Sequence, residues 1–222
     1  MKKVIVLSVL MISVMAVGLN AQTSQLGIFA GINFANVDLE IPEYNIDDFD
    51  DKTTVEVGLL YELGLTQCLG LCFQPMYIQK GAEVDDQGVT VGLSGSYIEL
   101  PLFLKLYIGS QAIRPYFMAG PFVGYNLSAN VDISLLDQSG DVDIKDYINT
   151  LDMGVGGGAG ISISMDKLIL FAEVKYMMGL VDINGFEEGD FVEVFGQQFG
   201  FTESLKTRGI QIIAGVSFPL GQ

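Results

Sequence analysis

Seven ionisable side chains occupy alternate positions inside apolar runs: Glu56, Glu62, Lys80, Glu99, Lys105, Glu173 and Lys175. Carboxylates and ammonium groups so placed can pair as buried ions, or they can form a proton-relay or substrate site. Buried charges are tolerated when paired and hydrogen-bonded. Four carboxylates against three lysines is nearly balanced, so a structural interior cluster of ion pairs is the expected role. Glu56 and Lys80 sit at similar heights on neighbouring strands and are the first pair expected. The chain has no His, which removes the usual general base, the commonest metal ligand and the Ser-His-Asp arrangement. The expectation is a non-enzyme with no catalytic, cofactor-binding or metal-ligating residue.

Three further features bear on chemistry. Cys68 and Cys72 flank a short turn, QCLGLC; in an oxidising compartment they suit a local disulfide across a hairpin base, and no further ligands stand near for zinc. The run GVGGGAG departs from G-x-G-x-x-G because Ala159 stands at the third glycine position, and no helix follows. At period two it places Gly154, Gly156, Gly158 and Gly160 on one face, where bare backbone makes room for long side chains from other strands. The segments NIDDFDD and DINGFEEGD carry enough oxygens for calcium but not the EF-hand spacing, so a loosely held divalent cation is the only cofactor they suggest.

The elements that must position these groups are strands. In Tyr97–Ile108, YIELPLFLKLYI, every second residue is a large aliphatic, and Tyr97, Glu99, Pro101, Phe103, Lys105 and Tyr107 lie between. Side chains alternate faces along a strand, so one face is wholly apolar and the other carries both charges. The pattern recurs about eight times without a helical partner. Long and short connections alternate strictly, with long ones at 38–53, 82–95, 131–150 and 182–206. This predicts an all-β fold, an eight-stranded antiparallel up-and-down transmembrane β-barrel with its apolar face in lipid and its long loops at one end. Phe34, Tyr77, Tyr125 and Tyr176 fall near the loop ends of the outward set; Phe73, Phe117 and Phe218 fall near the other ends, as two interfacial belts require. Pro101 and Pro121 each remove a ladder donor, so a bulge or register irregularity is expected near them.

Residues 1–21 read as a signal peptide: a basic Met1-Lys2-Lys3, an apolar stretch from Val4 to Val17, and Ala21 before Gln22. The barrel domain is 22–222. Net charge is −16, which excludes nucleic acid as a partner. The long loops hold 21 of the 27 acidic residues.

With the strands placed, the chain resembles the PorT-like family of outer-membrane barrel proteins. The resemblance rests on Tyr97-x-Glu99-x-Pro101 followed by Lys105, on Pro115-Tyr116 with Gly120-Pro121, and on the Gly-rich sixth strand. It spans roughly 25–220 and implies a Gram-negative outer membrane, with outer-membrane lipid and lipopolysaccharide as surroundings. In that family the named member serves a secretion system. The chain ends Phe218-Pro-Leu-Gly-Gln, without the terminal aromatic usual for such barrels.

The function expected is a non-enzymatic integral outer-membrane protein acting through acidic external loops, in a structural, adhesive or secretion-accessory role, with a possible surface or secretion partner on those loops. Two alternatives stand beside it. A soluble lipocalin-like binder would turn the aliphatic face inward. A lipid A-modifying barrel enzyme would usually employ His.

Overall fold

The computed structural model describes residues 23–39, 50–86, 89–109, 112–135, 138–185, 192–194, 197–199 and 205–220. Twelve strands account for nearly all of them: β1 Thr23–Leu39, β2 Asp50–Gly64, β3 Leu69–Phe73, β4 Met76–Asp86, β5 Val89–Tyr107, β6 Ile113–Leu135, β7 Gln138–Asp143, β8 Leu151–Ser164, β9 Ile169–Gly179, β10 Val192–Val194, β11 Gln197–Phe199 and β12 Leu205–Leu220. A 3-10 turn sits at Lys145–Tyr147.

Every ladder is antiparallel. β1 pairs with β2, β2 with β3 and β4, these with β5, then β5 with β6, β6 with β8, β8 with β9, β9 with β12, and β12 with β1. The pairing therefore closes on itself. Followed from Ile98, the partners are Tyr77, Val57, Ala30, Ala214, Ala172, Ile161 and Pro115. Pro115 accepts the amide of Ile108 at 2.8 Å, so the circuit returns to β5 ten residues from its start.

The period-two pattern sorts side chains as the sequence implies. Ile98, Leu104 and Leu106 are exposed, whereas Tyr97, Glu99, Phe103, Lys105 and Tyr107 are buried. On β1, β2 and β9 the exposed set includes Ile28, Val57, Leu59 and Val174, each more than half accessible. The soluble-binder alternative needs the reverse arrangement and is overturned by this one.

Short turns join strand pairs at one end. Met165 donates its amide to Leu168 O at 2.8 Å across the two-residue turn between β8 and β9. Gly109 has φ +80° at the exit of β5, a conformation that glycine adopts without steric cost.

The structure departs from the sequence reading in three places. The third apolar run is divided into β3 and β4 at Gln74-Pro75, where Pro75 has no amide to donate. The register carries straight through: Gln74 donates its amide to Pro101 O at 3.2 Å and Pro75 O accepts that of Leu59 at 2.9 Å. The stretches 82–95 and 131–150, expected as loops, are largely strand: β4 and β5 continue to pair up to Asp86 and Val89, and β6 extends to Leu135 and turns back as β7. The apolar face there is carried by Val89, Val91, Leu93, Val131, Ile133 and Leu135, alternating with polar residues, and Leu93 and Val131 pack inward against Ala82 and Ala129. Finally, Pro101 and Pro121 do not shift the register. The rungs at Leu102 and Phe103 are missing, but pairing resumes in step at Leu104↔Ala119. The register shifts lie instead between Ser96 and Tyr97, and between Asp51 and Glu56. The signal segment and most of the two acidic stretches around 45–51 and 182–190 lie outside the described residues.

Candidate functional site: a buried ion-pair network

All seven charged residues singled out in the sequence project inside the ring and are buried, none more than 7% exposed. Six of them form two groups, and Glu56 stands outside both. Around Lys105, the ammonium meets Glu173 Oε1 at 2.8 Å and Glu62 Oε2 at 3.2 Å. Tyr107 donates its hydroxyl to Glu62 at 2.5 Å and Tyr116 donates to Glu173 at 2.8 Å. Gln74, at the break between β3 and β4, donates to the second oxygen of Glu173 at 2.8 Å and accepts from Lys175 at 3.1 Å. Gln74 keeps the inward parity of Cys72, Met76 and Ile78, so the alternation points its carboxamide inward, bridging two charges whose nearest atoms are 4.0 Å apart.

Nearer the other end, Lys80 meets Glu99 at 2.5 Å and Asp152 at 2.9 Å, and Thr207 donates to Asp152 at 2.7 Å. The ammonium groups also lie over rings: Lys80 is 4.7 Å from the Phe122 centroid and Lys105 is 4.5 Å from that of Tyr116. Such contacts add about 2 kcal/mol when desolvated.

The pair first expected, Glu56 with Lys80, does not form. Lys80 turns to Glu99 and Asp152, and neither Glu56 oxygen has a hydrogen-bond partner. Asp152 is the residue that sequence reasoning missed. It shares the parity of the inward glycines Gly154–Gly160, so the same alternation identifies it. Five buried carboxylates, Glu56, Glu62, Glu99, Asp152 and Glu173, then face three lysines. Gln211 is also buried without a side-chain partner at either end of its amide.

The glycines of β8 do the steric work expected of them. A side chain at Gly160 would strike the Tyr116 ring, one at Gly156 the Met177 sulfur, and one at Gly154 the Phe122 ring, while at Gly158 it would meet the backbone of β9. Cys68 and Cys72 are both free; Cys68 is exposed in the turn and Cys72 is buried beneath it.

Both mouths are defined. At one, Ala82, Ala129, Ile144, Ile148, Ile183 and Leu205 pack into an apolar plug, pinned by Lys145, whose ammonium donates to Asn126 O at 2.5 Å and Oδ1 at 2.8 Å. At the other, a cavity of about 250 Å³ ends on Glu62 and Tyr107. Between them lie the network and an aromatic-rich core that includes Phe29, Phe103, Tyr116 and Phe171. Among the described residues, no three Cys, Asp or Glu side chains are grouped to hold a metal ion. The arrangement can hold a packed interior in which Lys80 and Lys105 each join two carboxylates, while Glu56 stands outside the pairs.

Residues 20–185 match the family described as outer membrane protein beta-barrel domain. The chain belongs to that family. The outer membrane beta-barrel is also similar to solved structures. These include Neisserial surface protein A (12% identity, covering 87% of this chain and 96% of that one, TM-score 0.43) and the attachment invasion locus protein Ail of Yersinia pestis (13%, 88% and 99%, TM-score 0.42). OprG of Pseudomonas aeruginosa is a third (10%, 91% and 98%, TM-score 0.48). No curated protein matches the chain significantly.

Proposed function

We propose that the protein is an eight-staved transmembrane barrel of a Gram-negative outer membrane, exported by the leader 1–21, non-enzymatic, and active through its acidic external loops. The observation that carries this reading is the two-faced wall: aliphatic side chains stand exposed outside while every buried charge lies inside. With β3 and β4 counted as one stave, a ten-residue offset over eight staves tilts the strands by about 40°, given a rise of about 3.3 Å and a strand spacing of about 4.8 Å. An eight-stranded barrel is just wide enough for side chains to fill, which agrees with the packed interior.

In this reading the short turns and both ends of the barrel domain face the periplasm, and the loop crown serves a structural, adhesive or secretion-accessory role, the last as the PorT-like resemblance suggests. The crown's carboxylates attract divalent cations bridging to lipopolysaccharide, or a basic partner, over a screening length of roughly 8 Å. Cell fractionation tests the location. The folded protein is expected in the outer membrane, migrating differently on a gel before and after boiling, and giving no stable large conductance in planar bilayers. Recovery in the soluble periplasmic fraction, or steady open channels, would refute the reading.

A further inference from the structure

A recess of about 280 Å³ opens on the outer wall, lined by Lys52, Gln79, Ser94, Ser96, Ser128 and Asn130 with no aliphatic side chain among its lining. It lies directly above a row that pairing joins across three strands: Tyr77, Ile98 and Tyr125. Tyr77 and Tyr125 are the aromatics expected at the external membrane interface. On β8 and β9 the outward set stays apolar to the end, at Leu151 and Leu180, each exposed. On β1 and β12 the outward set also turns polar, at Asn36, Lys206 and Arg208, so what sets β2, β4, β5 and β6 apart is the recess itself and its lining of hydroxyls and carboxamides.

The fold builds this hollow deliberately. The two register shifts of the wall, Asp51/Glu56 between β2 and β4 and Ser96/Tyr97 between β5 and β6, flank it on either side. Bulges of this kind bend a strand and re-aim side chains. At the first, Thr54 and Asn33 donate to Gln79 O at 2.6 and 3.0 Å, replacing ladder bonds the shift removes. Lys52 passes beside Gly81, whose added Cβ would stand 3.3 Å from Lys52 Cδ. At the second, the Tyr77 hydroxyl sits 2.9 Å from Ser96 Oγ, holding the floor.

We propose that this recess binds the sugar-phosphate headgroup of an outer-leaflet glycolipid; the proposal rests on the barrel reading above. Hydroxyls and carboxamides both donate and accept, which suits the neighbouring hydroxyls of a sugar ring, and an ammonium at the rim suits its phosphate. The volume lies just below the range of about 300–1,000 Å³ for ligand clefts, so it takes a sugar unit with its substituent, not an oligosaccharide. A chain of net charge −16 has no general attraction for anionic lipid, so selectivity for one anionic headgroup requires a site.

The test uses the full chain, refolded and titrated with purified lipopolysaccharide, with phosphatidylglycerol vesicles, and with the sugar-phosphate released from lipopolysaccharide. Wild type should retain lipopolysaccharide on a native gel and unfold at a higher temperature with it, with phosphatidylglycerol giving little of either. The double variant Ser96→Leu with Ser128→Leu fills the recess with side chains of the kind the wall already carries. It should bind about tenfold more weakly, the loss of one or two good hydrogen bonds, while keeping its boiling-dependent migration. Lys52→Gln, which removes the ammonium and adds no apolar bulk to the recess, should lose affinity in the same direction. Equal retention by either inserted variant, or equal retention of phosphatidylglycerol, would overturn the proposal while leaving the barrel intact. Binding of the free sugar-phosphate as tightly as the lipid would assign the recess to a soluble saccharide and overturn the lipid. Failure of the wild type to insert into vesicles would overturn the barrel reading and this one with it.

Discussion

Lys105→Ala is expected to destabilise the barrel by about 3–5 kcal/mol, the cost of leaving buried charges unpaired. Lys105 is 1% exposed and stands between Glu62 and Glu173; its removal leaves two carboxylates facing each other with only tyrosine hydroxyls, Gln74 and the distant Lys175 to answer them. The ion pairs are not themselves the source of net stability. Replacing all three charges together, as Lys105→Met with Glu62→Gln and Glu173→Gln, should recover most of the loss, because a neutral set needs no counter-charge. Urea unfolding in lipid vesicles measures both. A triple variant as unstable as the single one would mean that the network stabilises by its charges.

Much of this interior was legible in the sequence. Period-two alternation placed all seven charged residues on the inner face, and the inward glycines of β8 predicted bulky neighbours that prove to be Tyr116, Phe122 and Met177. The pairing within the interior was not legible. A strand pattern gives the face a residue points to, whereas partner choice depends on the ten-residue offset of the closed ring. That offset brings Asp152 of β8 to Lys80 of β4, across the interior rather than along the wall, and leaves Glu56 without a partner. Gln74 shares the inward parity of Cys72, Met76, Ile78 and Lys80, so the alternation places it inside; as a neutral carboxamide it carries no charge that marks it as a member of an ion-pair network. The extensions of β4–β7 did carry a signal, since Val89, Val91 and Leu93 and then Val131, Ile133 and Leu135 alternate with polar residues. There the outward face is polar and the apolar face turns inward, with Ala82, Leu93 and Val131 in the plug, the reverse of the pattern that marks the lipid-facing strands.

Leu104→Arg should cost about 2–4 kcal/mol in lipid, the penalty for an arginine at mid-depth on a barrel's outer face, against about 0–1 kcal/mol for Leu220→Arg near the end of β12. Both leucines are exposed on the wall, at 50% and 44%, so burial within the protein does not distinguish them; only depth in a bilayer does. Unfolding in vesicles of defined thickness reads the difference. Equal costs at the two positions would mean that the aliphatic wall does not meet hydrocarbon.

The two-faced wall is tested most directly by a nitroxide scan along β5. With Cys68 and Cys72 replaced by Ser, single labels are placed at 98 to 106 in protein reconstituted into vesicles. Accessibility is measured to oxygen, which concentrates in hydrocarbon, and to a water-soluble paramagnetic reagent. The account predicts a period of two: labels at 98, 100, 102, 104 and 106 open to oxygen and closed to the aqueous reagent, and labels at 99, 103 and 105 closed to both. Aqueous access at the even positions, or oxygen access without alternation, would contradict it.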